Sequence, residues 1–213
     1  ISYSIPIHEM KLRLTSIRHI IEDIERDAQI ADTYLRKLTE ILASTEETVN
    51  AVSSIMSKQK KQKVNLLKVA NNARILKENE LKNYDINVNI EGDPIEVEAV
   101  PGLLNTPVLN LVDNAIYWLR AKKIESRQQG YDFQPKIDII VKYNEDKHPT
   151  LTVRDNGGGF IDPFELLIEP YYSRKSDGFG LGLYLVNEIV IRQNGQLIGY
   201  NDNGAVITII FNK

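Results

Sequence analysis

Four short clusters of residues have the types and spacing to do chemistry. Asn110 and Asn114 stand four apart in the run N-L-V-D-N-A, among apolar Leu109, Leu111, Val112 and Ile116. On a helix that spacing puts both amides on one face. Such amides either tie the helix to a loop or offer oxygens to a hydrated magnesium ion, which keeps several of its waters. Asp155 opens D-N-G-G-G directly after a strand pattern. A carboxylate there, followed by Gly157 and Gly159, lets a flat ligand approach the backbone. Ionised Asp155 accepts a hydrogen bond from an exocyclic amine such as that of adenine, and a ligand without the donor leaves the charge unpaired. A plain turn would use Asp-Asn-Gly but not three glycines.

The third cluster, G-F-G-L-G-L, places Gly178, Gly180, Leu181 and Gly182 at the start of a helix pattern. Converging backbone N–H groups and a helix N-terminus make a phosphate cradle. Neither a dinucleotide fingerprint nor a P-loop is present, because no acidic ribose reader and no G-K-[ST] follows. The fourth, Glu169 to Lys175, ends in the adjacent cations Arg174 and Lys175. They suit a terminal phosphate. In isolation they would be a surface basic pair.

The elements that must position these residues follow from periodicity. Ile7, Met10, Leu14, Ile17, Ile21 and Ile24 form a heptad seam, and Leu35, Leu38, Leu42, Thr45, Val49, Val52 and Met56 form a second. A short link near residues 27–31 makes an antiparallel helical hairpin. Apolar residues remain outside the seams, so two hairpins are expected to pair as a homodimeric four-helix bundle. The run from Ser57 to Lys63 is read as a solvated helix end and linker. Beyond it helix and strand patterns alternate. Helices are expected over 66–80, 101 to about 124, and 182–193. Strands are expected over 86–90, 95–97, 137–143, 151–154, 196–200 and 205–211, with a loop at 125–135 and a hairpin turn at Asn203-Gly204. The fold class is α+β, with residues 1–62 as the hairpin and 63–213 as a sandwich of a mixed sheet and helices on one face.

Composition removes several alternatives. The 213 residues include no cysteine, so thiolate metal sites, disulfides and Cys nucleophiles are excluded. With 26 basic and 29 acidic residues the net charge is −3, without the basic excess of a non-specific nucleic-acid binder. No apolar run approaches the roughly 18 residues of a membrane span. No signal peptide opens the chain, and its first residues do not resemble a translation start. The expectation is a cytoplasmic fragment of a longer protein, with no nucleic-acid partner and no membrane contact of its own, whether or not the full-length protein is membrane-anchored.

In this order and spacing the four clusters resemble the ATP-binding fold shared by gyrase, mismatch-repair ATPases, a heat-shock chaperone and sensor histidine kinases. The Asn110–Asn114 segment is similar to the N box and Asp155–Gly159 to the first glycine box. The stretch 168–175 is similar to a short F box, and Gly178–Gly182 to the second glycine box. The resemblance covers about 64–213. It implies that Asn114 and Asn110 hold Mg2+, that Asp155 reads adenine, and that Gly157, Gly159, Gly178, Gly180, Leu181, Gly182, Arg174 and Lys175 bind ATP. ATP-hydrolysing relatives carry Glu at the first N-box position as a general base. Asn110 takes no proton at neutral pH, which implies transfer of phosphate to a protein.

The acceptor is then sought in the helical half. His8-Glu9-Met10-Lys11-Leu12-Arg13-Leu14 resembles the H box of histidine kinases. His8 falls beside the seam, facing outward, where a neutral imidazole nitrogen can attack a γ-phosphate. Glu9 orients it and takes the other ring proton, and Lys175 neutralises charge during transfer. His19 and His148 have no matching neighbours. Three departures stand out. Arg13 replaces the H-box proline, Leu12 replaces a polar residue implicated in phosphatase activity, and Tyr117 replaces a basic residue of the N box, leaving Lys175, Arg174 and Arg120 for phosphate. The reading is an autophosphorylating histidine kinase that passes phosphate to a response-regulator receiver domain. The alternative is an ATP-binding conformational switch with inert His8; a serine kinase like the mitochondrial dehydrogenase kinases ranks third.

Overall fold

The computed structural model describes Ile17, His19, residues 60–175 and residues 180–212. Residues from 60 onward belong to one compact unit. Ile17 is helical and half-buried, and His19 is helical and exposed. The rest of the expected hairpin, with His8, Glu9, Leu12 and Arg13, lies outside the described residues. So do Ser176, Asp177, Gly178 and Phe179.

Among the described residues of this unit, seven strands and five helices follow in the order β1 (Gln62–Asn65), α1 (Leu66–Leu76), α2 (Glu78–Asn83), β2 (Asn87–Gly92), β3 (Glu96–Ala99), α3 (Pro101–Gln129), β4 (Lys136–Tyr143), β5 (Pro149–Asp155), α4 (Phe164–Leu167), α5 (Gly182–Arg192), β6 (Gly195–Asn201) and β7 (Ala205–Phe211). Five strands form a mixed sheet in the order β2-β4-β5-β7-β6, and β1 pairs with β3 separately. Only the β2–β4 pair is parallel. Strand alternation sends Ile137, Ile139, Val141, Leu151, Val153, Ile207 and Ile209 to one face, where they are buried under α1, α3 and α5. Leu111, Ile116 and Leu119 of α3 enter the same core, each at most 2% exposed. Burying such a side chain contributes roughly 1.5–3 kcal/mol as an upper estimate. The opposite face carries Asp138, Arg154 and a Thr152–Thr208 hydroxyl pair at 2.8 Å. The α+β sandwich with helices on one face is therefore observed.

Three element expectations need correction. The helix from residue 101 does not stop near 124; it continues to Gln129. Gln129 bonds Glu125 one turn back at 3.0 Å, Ser126 returns its hydroxyl to the Lys123 carbonyl, and Gly130 at φ 77° ends the helix. The helix expected over 66–80 is interrupted at Lys77 (φ −100°, ψ 8°), and a second helix then runs to Asn83. The Lys77 ammonium is drawn across to Asp113 of α3 at 2.6 Å, a long-range contact that no local pattern announces. Finally, the expected linker runs into β1 at Gln62, and the strand's partners at 96–99 lie far away in sequence. The four-residue helix α4 went unforeseen for want of a period long enough to read.

Candidate nucleotide site

The site begins with α3. One helical turn separates Asn110 from Asn114, so both face the start of α5 while their neighbours fill the core. Asn110 is buried and its amide donates to the Thr106 carbonyl at 3.3 Å. A Cβ placed on Gly182 would stand 2.9 Å from Asn110 Oδ1, so the first residue of α5 comes up against this amide. Asn114 Oδ1 accepts from Lys175 Nζ at 2.6 Å. Asn114 Nδ2 is buried with no hydrogen-bond partner among the described residues. A buried donor left unmade costs about 1–3 kcal/mol, so this amide is poised for an acceptor. Lys175 also lies 4.7 Å over the ring of Tyr117. The tyrosine that replaces a basic N-box residue thus supports the lysine.

The candidate phosphate side is completed by α5. Leu181 is its N-cap, with no side-chain cap bond and no acidic residue in the first turn. Its leading N–H groups and dipole favour an anion. Gly180 sits at φ 70°, and its carbonyl accepts from Tyr171 N at 3.0 Å. A Cβ on Gly180 would lie 2.4 Å from the Tyr171 carbonyl carbon, so both conformation and contact require glycine.

The other end is built around Asp155, where β5 ends. The residue is 7% exposed. Its Oδ1 accepts from Gly157 N at 2.8 Å and from Ala205 N of β7 at 3.4 Å. Burial pushes its carboxyl above the usual range, and the two backbone donors and the Lys122 ammonium oppose that rise. A Cβ on Gly157 would be 2.7 Å from Oδ1, so a side chain there would crowd the carboxylate. Gly159 is followed by Phe160, whose backbone N–H and carbonyl are both bonded by the Asn201 amide, at 2.7 and 2.8 Å.

Asn110, Asn114, Lys175, Leu181 and Gly182 are thus brought together, with Asp155 and Gly157 at the strand end. Arg174 is placed differently. Its guanidinium is bound by both oxygens of Asp162, the Nη2–Oδ1 contact at 2.7 Å and the Nε–Oδ2 contact shorter. The bond from Arg174 holds the Asp162 carboxyl below its usual range, and the same bond raises the pKa of Arg174. Arg120 stacks over Tyr84 at 4.0 Å. Sequence reasoning overlooked Lys122, Asn156 and Asn201. Lys122 Nζ donates to the carbonyls of Asn156 and Gly157, each at 2.9 Å. Asn156 bridges Lys136 N and the Gln134 carbonyl. The available signal was a lysine about two turns beyond Asn114 on the same helix.

The residues fit a nucleotide and a hard cation. Asn110 and Asn114 present amide oxygens, Asn114 Nδ2 has no acceptor among the described residues, and Lys175 and α5 add positive potential.

Comparison with known proteins places the fold in an ATP-binding family. Residues 99–213 match the family described as histidine kinase-, DNA gyrase B-, and HSP90-like ATPase. The chain is 26% identical over 217 residues to the sensor histidine kinase ZraS of Salmonella typhimurium, covering 95% of this chain and 43% of that protein. It is 25% identical over 209 residues to sporulation kinase B of Bacillus subtilis, covering 95% of this chain and 47% of that one. The chain therefore spans less than half the length of these curated relatives. Among solved structures, Acinetobacter baumannii histidine kinase AdeS shares the fold with a TM-score of 0.67 at 16% identity, over 96% of this chain and 97% of that one. The chain belongs to the histidine kinase-, DNA gyrase B- and HSP90-like ATPase family, an ATP-binding family, and its curated relatives include sensor histidine kinases.

Proposed function

We propose that this chain is the catalytic core of a dimeric sensor histidine kinase, which binds Mg-ATP, phosphorylates its own His8 and passes the phosphoryl group to an aspartate of a response-regulator receiver domain. The observation that carries the reading is the Asn110–Asn114–Lys175 group at the open end of α5. No carboxylate occupies position 110 to activate water. The nearest acid along the helix, Asp113, is engaged by Lys77 at 2.6 Å. Stabilisation of phosphate charge without a general base favours transfer to a protein group over hydrolysis.

In this reading Asp155 accepts from the adenine amine, and the backbone at Gly157, Gly159, Gly178, Gly180, Leu181 and Gly182 contacts the nucleotide. Bound magnesium, held through the Asn114 and Asn110 oxygens, supplies charge neutralisation at the phosphates. Lys175, now on Asn114, is within side-chain reach of the same region, and Arg174 joins it on release from Asp162. A neutral His8 nitrogen forms a bond to the γ-phosphorus as the bond to the β-γ bridging oxygen breaks. ADP leaves, and the other ring proton passes to Glu9. Residues 1–62 serve as the dimerising hairpin and residues 63–213 as the ATP-binding domain.

The test is incubation of the full chain with γ-labelled ATP and magnesium, wild type beside His8→Gln. Acid-labile, base-stable label on wild type and none on the variant is the expected result. ATP binding without label would overturn the kinase reading in favour of an ATP-operated conformational switch. Leu12 and Arg13, which depart from the H box, favour that second reading.

A further inference from the structure

The loop that presents Asp155 is gripped from behind. A trans peptide holds its carbonyl and its N–H on opposite edges, and no cis bond occurs among the described residues. In the Asn156–Gly157 peptide the N–H donates to Asp155 Oδ1 at 2.8 Å. The carbonyl of that same peptide accepts from Lys122 Nζ at 2.9 Å, and the next carbonyl, Gly157, accepts from it at 2.9 Å as well. Lys122 therefore fixes the plane of the one peptide whose other edge orients the carboxylate. A charged donor on the carbonyl also polarises the peptide and strengthens its N–H as a donor.

The lysine is itself held. Its ammonium lies 4.7 Å over the ring of Phe133. Asn156 binds the adjoining stretch through Lys136 N at 2.7 Å and the Gln134 carbonyl at 2.8 Å. The segment after α3, to which no local pattern assigns a role, thus forms part of the bracket.

We infer that Lys122 is a positioning residue for recognition of the adenine amine, acting through the Asn156–Gly157 peptide on Asp155. The inference rests on the nucleotide reading given above. Against Asp155 pack α3, which contributes the Lys122 charge; β7, which contributes the Ala205 N–H; and its own loop, which contributes the Gly157 N–H. Arg154 precedes Asp155 on the strand and points to the other face, where it pairs with Asp202 at 2.9 Å. Lys122 is thus the charged group that favours the ionised, amine-accepting form of Asp155. Without it the carboxylate loses the grip on its orienting peptide and the nearby charge that favours its ionised form.

The experiment measures dissociation constants for ATP and for purine riboside triphosphate, which lacks the exocyclic amine. Wild type, Lys122→Met, Lys122→Gln and Lys122→Arg full chains are compared between pH 5 and 8, with circular dichroism melts of each. Wild type is expected to prefer ATP by about tenfold or more, the cost of leaving a buried acceptor unpaired. Both uncharged variants should lose most of that preference while binding the amine-free analogue within about threefold of wild type. Their ATP affinity should also fall away at a higher pH as it is lowered. Lys122→Arg should retain preference and pH profile. Using two uncharged variants and an arginine keeps the test standing if one variant folds poorly. Equal loss for both ligands, or an unchanged preference in the uncharged variants, would overturn the inference and leave Lys122 a loop anchor only. Absence of preference in wild type would instead sink the adenine role of Asp155, and this inference with it.

Discussion

The two ends of the site differ in how completely their polar groups are satisfied. At the Asp155 end the carboxylate has two backbone donors, their loop is gripped by Lys122, and Asn156 and Asn201 tie the flanking turns. At the Asn114 end a buried amide nitrogen has no partner among the described residues, Lys175 rests on the amide oxygen, and Arg174 is held by Asp162. The first end is organised before any ligand arrives. In the proposed function the second has groups that would exchange partners to meet a triphosphate. A base is a flat object of fixed shape, and a rigid pocket reads it at low entropic cost. A phosphoryl group changes charge distribution during transfer, and movable cations serve that better.

Breaking the phosphate end gives the largest expected effect. Asn114→Ala removes the amide that would meet magnesium and phosphate. Label incorporation from γ-labelled ATP should fall by about 10²-fold or more. The thermal midpoint should move little, because the lost amide carries an unsatisfied donor as well as the Lys175 contact. A large drop in midpoint with normal activity per folded molecule would reverse the assignment.

Asp155→Asn sharpens the comparison from the other side. ATP affinity should fall by about tenfold or more, as the acceptor loses its charge. The ligand-free protein should respond in the opposite sense. Burial raises the folded pKa of Asp155 above its usual range. The stability tied to its protonated form is full below the unfolded pKa and is lost as pH rises through the folded one. Wild type should therefore lose stability relative to Asp155→Asn across that window, as paired melts at pH 4 to 7 would reveal. Parallel curves would mean that the carboxylate is better solvated than its burial implies.

The smallest effect is expected at Arg174→Ala. Its pairing with Asp162 is at the surface, where ion pairs contribute little. The melt should be unchanged, and ATP affinity should drop by less than about tenfold, since Lys175 and α5 remain. Loss of binding as large as that of Asn114→Ala would place Arg174 in the phosphate site from the outset.

Much of this was legible along the chain. The β7 run A-V-I-T-I-I-F and the Asn203-Gly204 turn carry their own pattern, and both clusters of glycine announce backbone that must pass close to something. The two asparagines share a face because 3.6 residues make a turn. What escaped was set by distance. Lys122 reaches carbonyls 34 and 35 residues away, and Lys175 meets Asn114 across 61 residues. At the break in the 66–83 helical stretch, Lys77 meets Asp113 on another helix, 36 residues away.

Residue order alone therefore determined the alternation of helices and strands, the glycine-bordered loops and the absence of a carboxylate at position 110. Each is a matter of local dihedral preference, period or plain chemistry. Only the tertiary structure decided which polar atoms are satisfied. The turn after β5 and its neighbour β7 gave Asp155 its donors, the approach of α3 to that turn gave Lys122 its two carbonyls, the approach of the end of α1 to α3 engaged Asp113 with Lys77, and Asn114 Nδ2 was left with no partner among the described residues. Partner choice for a charge or an amide depends on what folding brings within about 3 Å, and sequence spacing does not contain that distance.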